Sequence, residues 1–142
     1  MFNAIDIANY IINKCIDLGR PITNLQLQKI LYYVQGEFIK NTGGNELFYN
    51  EISAWSYGPV VPEVYFKFNG YSSSDIDIKH GDVELPNEIK EIIDPVIYKK
   101  SLLTAWKLVE DTHNESPWLE SYVEGRKNKI TMDAMKRYFI NG

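Results

Sequence analysis

Three short stretches concentrate the side chains able to do chemistry. In Thr112-His113-Asn114-Glu115-Ser116-Pro117-Trp118, the His113 imidazole can serve as a general base, or it can donate a hydrogen bond across a turn while Trp118 seals the core. Leu27-Gln28-Lys29-Ile30-Leu31-Tyr32-Tyr33 carries Gln28, Lys29 and Tyr32 beside an apolar stripe; a polar and aromatic helix face of this kind offers donors and flat apolar area together. In Ala54-Trp55-Ser56-Tyr57-Gly58-Pro59-Val60-Val61-Pro62-Glu63-Val64-Tyr65, the residues Gly58, Pro59 and Pro62 restrict the backbone. Trp55, Tyr57 and Tyr65 are then held stiffly, and rigid aromatics lose little entropy on binding. Packing alone is the simpler account of each stretch, most of all the one around His113.

Other chemistries lack their parts. Cys15 lies on the inward stripe of a helix, where a thiol behaves as a small hydrophobe. One cysteine with His80 and His113 does not make a zinc site. Gly43-Gly44 is not followed by Lys-Ser/Thr, and no GxGxxG occurs, so no phosphate-cradling loop is present. Carboxylate pairs cannot be read from spacing. No metal or cofactor is expected, and no catalytic set.

Helices must position most of these residues. Asn3 caps a first helix with Ile5, Ala8, Ile12, Cys15 and Ile16 on one stripe, closed by Gly19 and Pro21. Thr23 with Gln26 forms a capping box for a second helix, whose stripe is Leu27, Leu31, Val34 and Phe38, ending at Gly43-Gly44. Alternation over Ile52 to Tyr57 predicts a short strand stopped by Gly58-Pro59, with Ser53, Trp55 and Tyr57 facing one way. Pro62 opens a helix through Phe68. Asp75–Ile78 and Val83–Leu85 around His80-Gly81-Asp82 predict a hairpin. Pro86 opens a helix that Pro95 kinks or breaks. Residues 101–112 form another, with Leu102, Leu103, Trp106 and Val109 inward, and Ser116-Pro117 starts a further turn. Thr131 caps a last helix packed through Met132, Met135 and Phe139. The fold class expected is α+β, predominantly α-helical, with a small strand or hairpin element between helices.

At 142 residues, 44% hydrophobic and 24% charged, the chain is sized and composed as one globular domain, 1–142, able to bury a core without metal or disulfide staples. The first residues lack a secretory leader and no run is long enough to span a bilayer, which predicts a cytoplasmic protein without a membrane partner. Net charge is −4, unevenly spread. Residues 126–142 hold Arg126, Lys127, Lys129, Lys136 and Arg137 against Asp133, while Asp75 to Asp94 holds seven acids against two lysines. That charge argues against a general nucleic-acid coat protein but not against a local basic patch, and the C-terminal cations beside Tyr138 and Phe139 are the candidate for such contact.

Taken together, the three stretches resemble the Panacea domain of SocA-like antitoxins, from Ala4-Ile5-Asp6-Ile7-Ala8 and Tyr10-Ile11-Ile12 through to Tyr138-Phe139. The middle stretch is the specific marker; Ile30 stands where Leu is commoner. The resemblance implies a compact helical domain that serves as the neutralising partner in bacterial and prophage toxin-antitoxin pairs, facing toxins of unrelated chemistry. One branch resembles adaptors that hand a toxin to a cellular protease. This chain looks like the bare domain without an added DNA-binding module.

The expected function is therefore a non-enzymatic antitoxin that binds its cognate toxin directly. Tyr32, Trp55, Tyr57 and Tyr65 are the expected aromatic anchors, Gln28, Lys29 and His113 the polar contacts, and Leu27, Leu31, Gly58, Pro59, Pro62 and Trp118 the structural residues of the motifs. The acidic stretch from Asp75 to Asp94 would meet a basic toxin. Two alternatives stay open: an enzyme or sensor with a small-molecule pocket around Lys29, Tyr57 and His113, and a phage protein that inhibits a host defence protein.

Overall fold

In the computed structural model, which describes residues 1–142, the caps legible in the sequence start and stop the first two helices. The Asn3 side chain accepts from Ile5 N at the start of α1 (Ala4–Asp17). Thr23 and Gln26 close a reciprocal capping box on α2 (Asn24–Thr42), which ends on left-handed Gly43. β1 (Ile52–Trp55), β2 (Gly58–Val60) and α3 (Pro62–Phe68) follow, the last running into one 3-10 turn. Then come α4 (Asn87–Lys100), α5 (Ala105–His113), the short α6 (Ser116–Leu119), β3 (Lys129–Ile130) and α7 (Met132–Phe139). The chain is mostly helical with one small antiparallel sheet. Its strand order is β2-β1-β3.

One continuous core joins these elements, and α2 is its axis, packed against α1, α3, α4, α5, α7 and β2. From Leu27 to Gly36 every residue of α2 is buried. The apolar stripe Leu27, Leu31 and Val34 is buried as expected, and so is the polar face beside it. Gly36 allows the closest approach: a Cβ there would fall 2.2 Å from the Phe139 ring of α7.

Three local expectations change. Gly58-Pro59 does not end the strand but begins its return: Trp55 pairs with Gly58, Ala54 with Pro59 and Ser53 with Val60, leaving Ser56-Tyr57 as a two-residue tip. Pro59 is tolerated because β2 is an edge strand, where a missing N–H leaves no ladder bond unmade. The hairpin expected over 75–85 is absent because that backbone is satisfied elsewhere. Ile76 bridges Ile22, and the Asn13 side chain binds His80 N, His80 O and Gly81 O. The helix expected to begin at Ser101 starts only after Thr104, which caps Lys107 N, while Ser101 closes α4 through Ile97 O. That shift turns Leu108, Val109 and Thr112 inward and leaves Leu102 and Trp106 58% and 63% exposed. Pro95 sits exposed within α4, and the helix is not broken there.

Candidate functional site

The three motif stretches converge on the tip of the β1–β2 hairpin, and most of their polar groups grip its backbone. Trp118 Nε1 donates to Trp55 O at 2.7 Å. His113 Nε2 lies 3.0 Å from Ser56 O; since a carbonyl only accepts, the proton is on Nε2. Lys29 Nζ donates to Pro59 O at 2.7 Å, and Gln28 Oε1 accepts from Val61 N at 2.9 Å. Asn24 extends the series, donating to Tyr65 O while accepting from Gln28 Nε2. The turn is thereby tied to α2 on one side and to α5 and α6 on the other.

Gly58 is the residue this grip requires. Its φ of +99° is a backbone conformation that side chains resist, and a Cβ would come within 2.7 Å of both Lys29 Cε and Thr112 Oγ1. Lys29 is fully buried, and burial without a carboxylate partner pushes its ammonium down to about 7. Burial likewise lowers His113, with the Lys29 charge adding to the effect.

Tyr32 and Tyr33 meet outside this grip, at Glu115: their hydroxyls donate to Oε1 at 2.9 Å and to Oε2 at 2.7 Å. Burial raises the Glu115 carboxyl, partly offset by those phenols, and raises both phenols strongly. Gln35 performs the same kind of service for Leu47 and Phe48, accepting from both N–H groups and donating to Phe48 O.

The aromatic side chains stand outward on this clamped base. Tyr57, 56% exposed, meets exposed Trp106 edge-on at 5.7 Å. Trp55 is half-buried between Tyr65 at 5.0 Å and exposed Phe66 at 6.1 Å. His113, Trp118 and Tyr122 form a stack with spacings of 4.0 and 4.6 Å. Trp55, Tyr57, Tyr65 and His113 therefore reach the surface together, whereas Gln28, Lys29 and Tyr32 lie inside. Leu27, Leu31, Gly58, Pro59 and Pro117 are buried in support, with Pro62 and Trp118 half-buried. Phe66 was not singled out by the sequence, and Trp106, expected inward, stands outside; the Thr104 cap, which sets the phase of α5, was the available signal for Trp106.

Lys29, Tyr57 and His113 share no hydrogen bond: each has a separate partner. The largest cavity, 780 Å³, lies elsewhere, between α2, α4 and α7, and is lined by Tyr33, Glu37, Lys100, Glu115 and Tyr138 among others. Cys15 is buried, and its thiol is pushed up to about 11 by that burial. No group of three or more His, Cys, Asp or Glu side chains is arranged to hold a metal ion. No helix is long and apolar enough to cross a membrane.

Comparison with known proteins bears on this geometry. Residues 27–119, which contain all three motif stretches, match the family described as Antitoxin SocA-like, Panacea domain. Antitoxin SocA of Caulobacter vibrioides (strain NA1000 / CB15N) is 34% identical over 125 residues, covering 79% of this chain. The match takes in 66% of that protein, just under two thirds of its length. No solved structure matches the chain.

Proposed function

The chain belongs to the family of SocA-like antitoxins with a Panacea domain, and from that we propose that it is an antitoxin which neutralises a cognate toxin by gripping it with the β1–β2 tip. The observation that carries this reading is the contrast between a pinned backbone and outward aromatics. Trp55 O, Ser56 O and Pro59 O each have a side-chain donor, so the tip is ordered before any partner arrives. Tyr57 and Trp106 nonetheless stay in solvent, where large aromatic area costs free energy unless a partner covers it. Pre-ordering lowers the entropy lost on association, and exposed aromatics supply the few anchors on which an interface of ~1,600 Å² depends.

In this reading Tyr57, Trp106, Trp55 and Tyr65 touch the toxin, with His113 at the edge. Gln28, Lys29 and Tyr32 serve from within, Gln28 and Lys29 by fixing the tip and Tyr32 by holding Glu115. The toxin is blocked because its active or target-binding surface is occupied, and no bond is made or broken. The action takes place in the cytoplasm.

The test is co-expression with the product of the adjacent gene. The wild-type chain is expected to rescue growth and co-purify. Tyr57→Ala with Trp106→Ala removes only exposed side chains, so stability should hold to within about 0.5 kcal/mol. Binding should weaken by about 2 kcal/mol or more, and rescue should fail. Absence of rescue and co-purification with the wild type refutes the reading.

A further inference from the structure

Beside the tip lies a groove of 230 Å³ lined by Trp55, Ser56, Tyr122, Gly125, Arg126 and Lys127. Its aromatic walls are fixed. Tyr122 is stacked on Trp118, which in turn holds Trp55 O, while Trp55 packs against Tyr65. Its rim is cationic: the Lys127 ammonium stands 4.5 Å over the Trp55 ring, and Arg126 is exposed at its side. Of the other cations in the C-terminal segment, Lys129 pairs with Glu51 and Arg137 with Glu120, while Lys136 reaches toward Gly44 at the end of α2. Arg126 and Lys127 form no ion pair. Two cations without a carboxylate partner thus gather at one aromatic groove, in a chain whose net charge is −4.

We infer that this groove docks an acidic segment of the protein partner, with an Asp or Glu side chain meeting Arg126 and Lys127 while an adjacent apolar or aromatic side chain lies against Trp55 and Tyr122. The inference rests on the proposed toxin-binding function and assigns the chemistry of the partner at that surface. Charge complementarity carries it. A carboxylate replaces the Trp55 ring as the counterpart of Lys127, and the flat walls take the neighbouring side chain without new ordering. A nucleic acid is the weaker occupant. Stacking on Trp55 and Tyr122 would suit a base, but a phosphate backbone needs a longer row of free cations, and Glu51 and Glu120 neutralise the neighbours that would extend this one.

The experiment compares wild type, Arg126→Glu with Lys127→Glu, and Arg126→Lys with Lys127→Arg in binding to the purified product of the adjacent gene across a NaCl titration. Both replaced positions are exposed, and thermal melting verifies that each variant is folded. Charge reversal should weaken binding by about tenfold or more and flatten its salt dependence, whereas the charge-preserving pair should stay within about threefold of wild type. If the reversed variant binds as tightly as wild type, the groove is not the docking site and the antitoxin reading stands. If the wild type itself does not bind, both fall. A single-stranded oligonucleotide is run in parallel: its binding, lost on charge reversal while protein binding persists, would give the groove to nucleic acid and overturn the inference.

Discussion

Lys29 shows how one side chain can look like a contact in sequence and act as a strut in space. Its amine lies wholly inside, and its hydrogen bond goes to Pro59 O. Because burial brings the folded-state pKa down to about 7 while the unfolded chain keeps a value near ~10.4, the unfolded state binds more protons between those values. The Lys29 contribution to stability must then rise with pH above about 7, approaching a ceiling of about 1.4 kcal/mol per pH unit. Of the neighbours that titrate, His113, lowered by burial, is neutral across pH 7.5 to 8.5, and the tyrosines act only at higher pH. The Cys15 thiol, raised to about 11 by burial, opposes the Lys29 slope as the unfolded thiol begins to ionise near ~8.5, and it does so equally in any variant that keeps it. Urea unfolding across pH 7.5–8.5 should give a slope more positive by about 1 kcal/mol per pH unit in the wild type than in Lys29→Met. An equal slope in both would mean that the amine is charged in the folded protein.

Helix α2 departs from the amphipathic plan that its apolar stripe announces. A surface helix keeps one polar face in water; this one buries Asn24, Gln28, Lys29 and Gln35 and aims them at the backbones of the segments packed around it. The junction between α5 and α6 is held to it in the same way, through Glu115 and the hydroxyls of Tyr32 and Tyr33. Removing one acceptor here strands two buried donors, which is costlier than losing one bond between exposed groups. Glu115→Ala should therefore destabilise by at least about 2 kcal/mol in chemical denaturation, more than any exposed acid such as Glu124. Glu115→Gln keeps one acceptor oxygen and is expected to fall between the two. A cost for Glu115→Ala no greater than for Glu124→Ala would show that the junction is held by packing alone.

For the whole molecule, the decisive contact is the seating of α7 on the central helix at Gly36. Phe139 fills the space a side chain would take, with its ring 2.2 Å from where a Cβ would stand. The same ring meets Tyr32 edge-on at 5.5 Å, so a shift of α7 reaches the Glu115 junction as well. Gly36→Ala, which would favour an isolated helix by up to about 1 kcal/mol, should here cost about 1–3 kcal/mol because α7 must move. Pairing it with Phe139→Leu should recover part of that cost, a coupling that a double-mutant cycle reads directly. Additivity of the two changes would remove Gly36 as the seat of α7.

The sequence by itself determined the helices with explicit chemistry at their ends, the capping box at Thr23, the caps at Asn3 and Thr131, and the family motifs, because each is a local pattern written in a few adjacent residues. It also located the stiff aromatic corner around Gly58 and Pro59. Only the tertiary structure decided that the corner is a hairpin tip and that Gln28 and Lys29 support it from inside. The same holds for Trp106, which stands outside on a helix shifted in phase by the Thr104 cap. Those outcomes depend on which backbone groups lack a partner once distant segments have packed, and hydrogen-bond satisfaction of that kind is settled between segments and not within them.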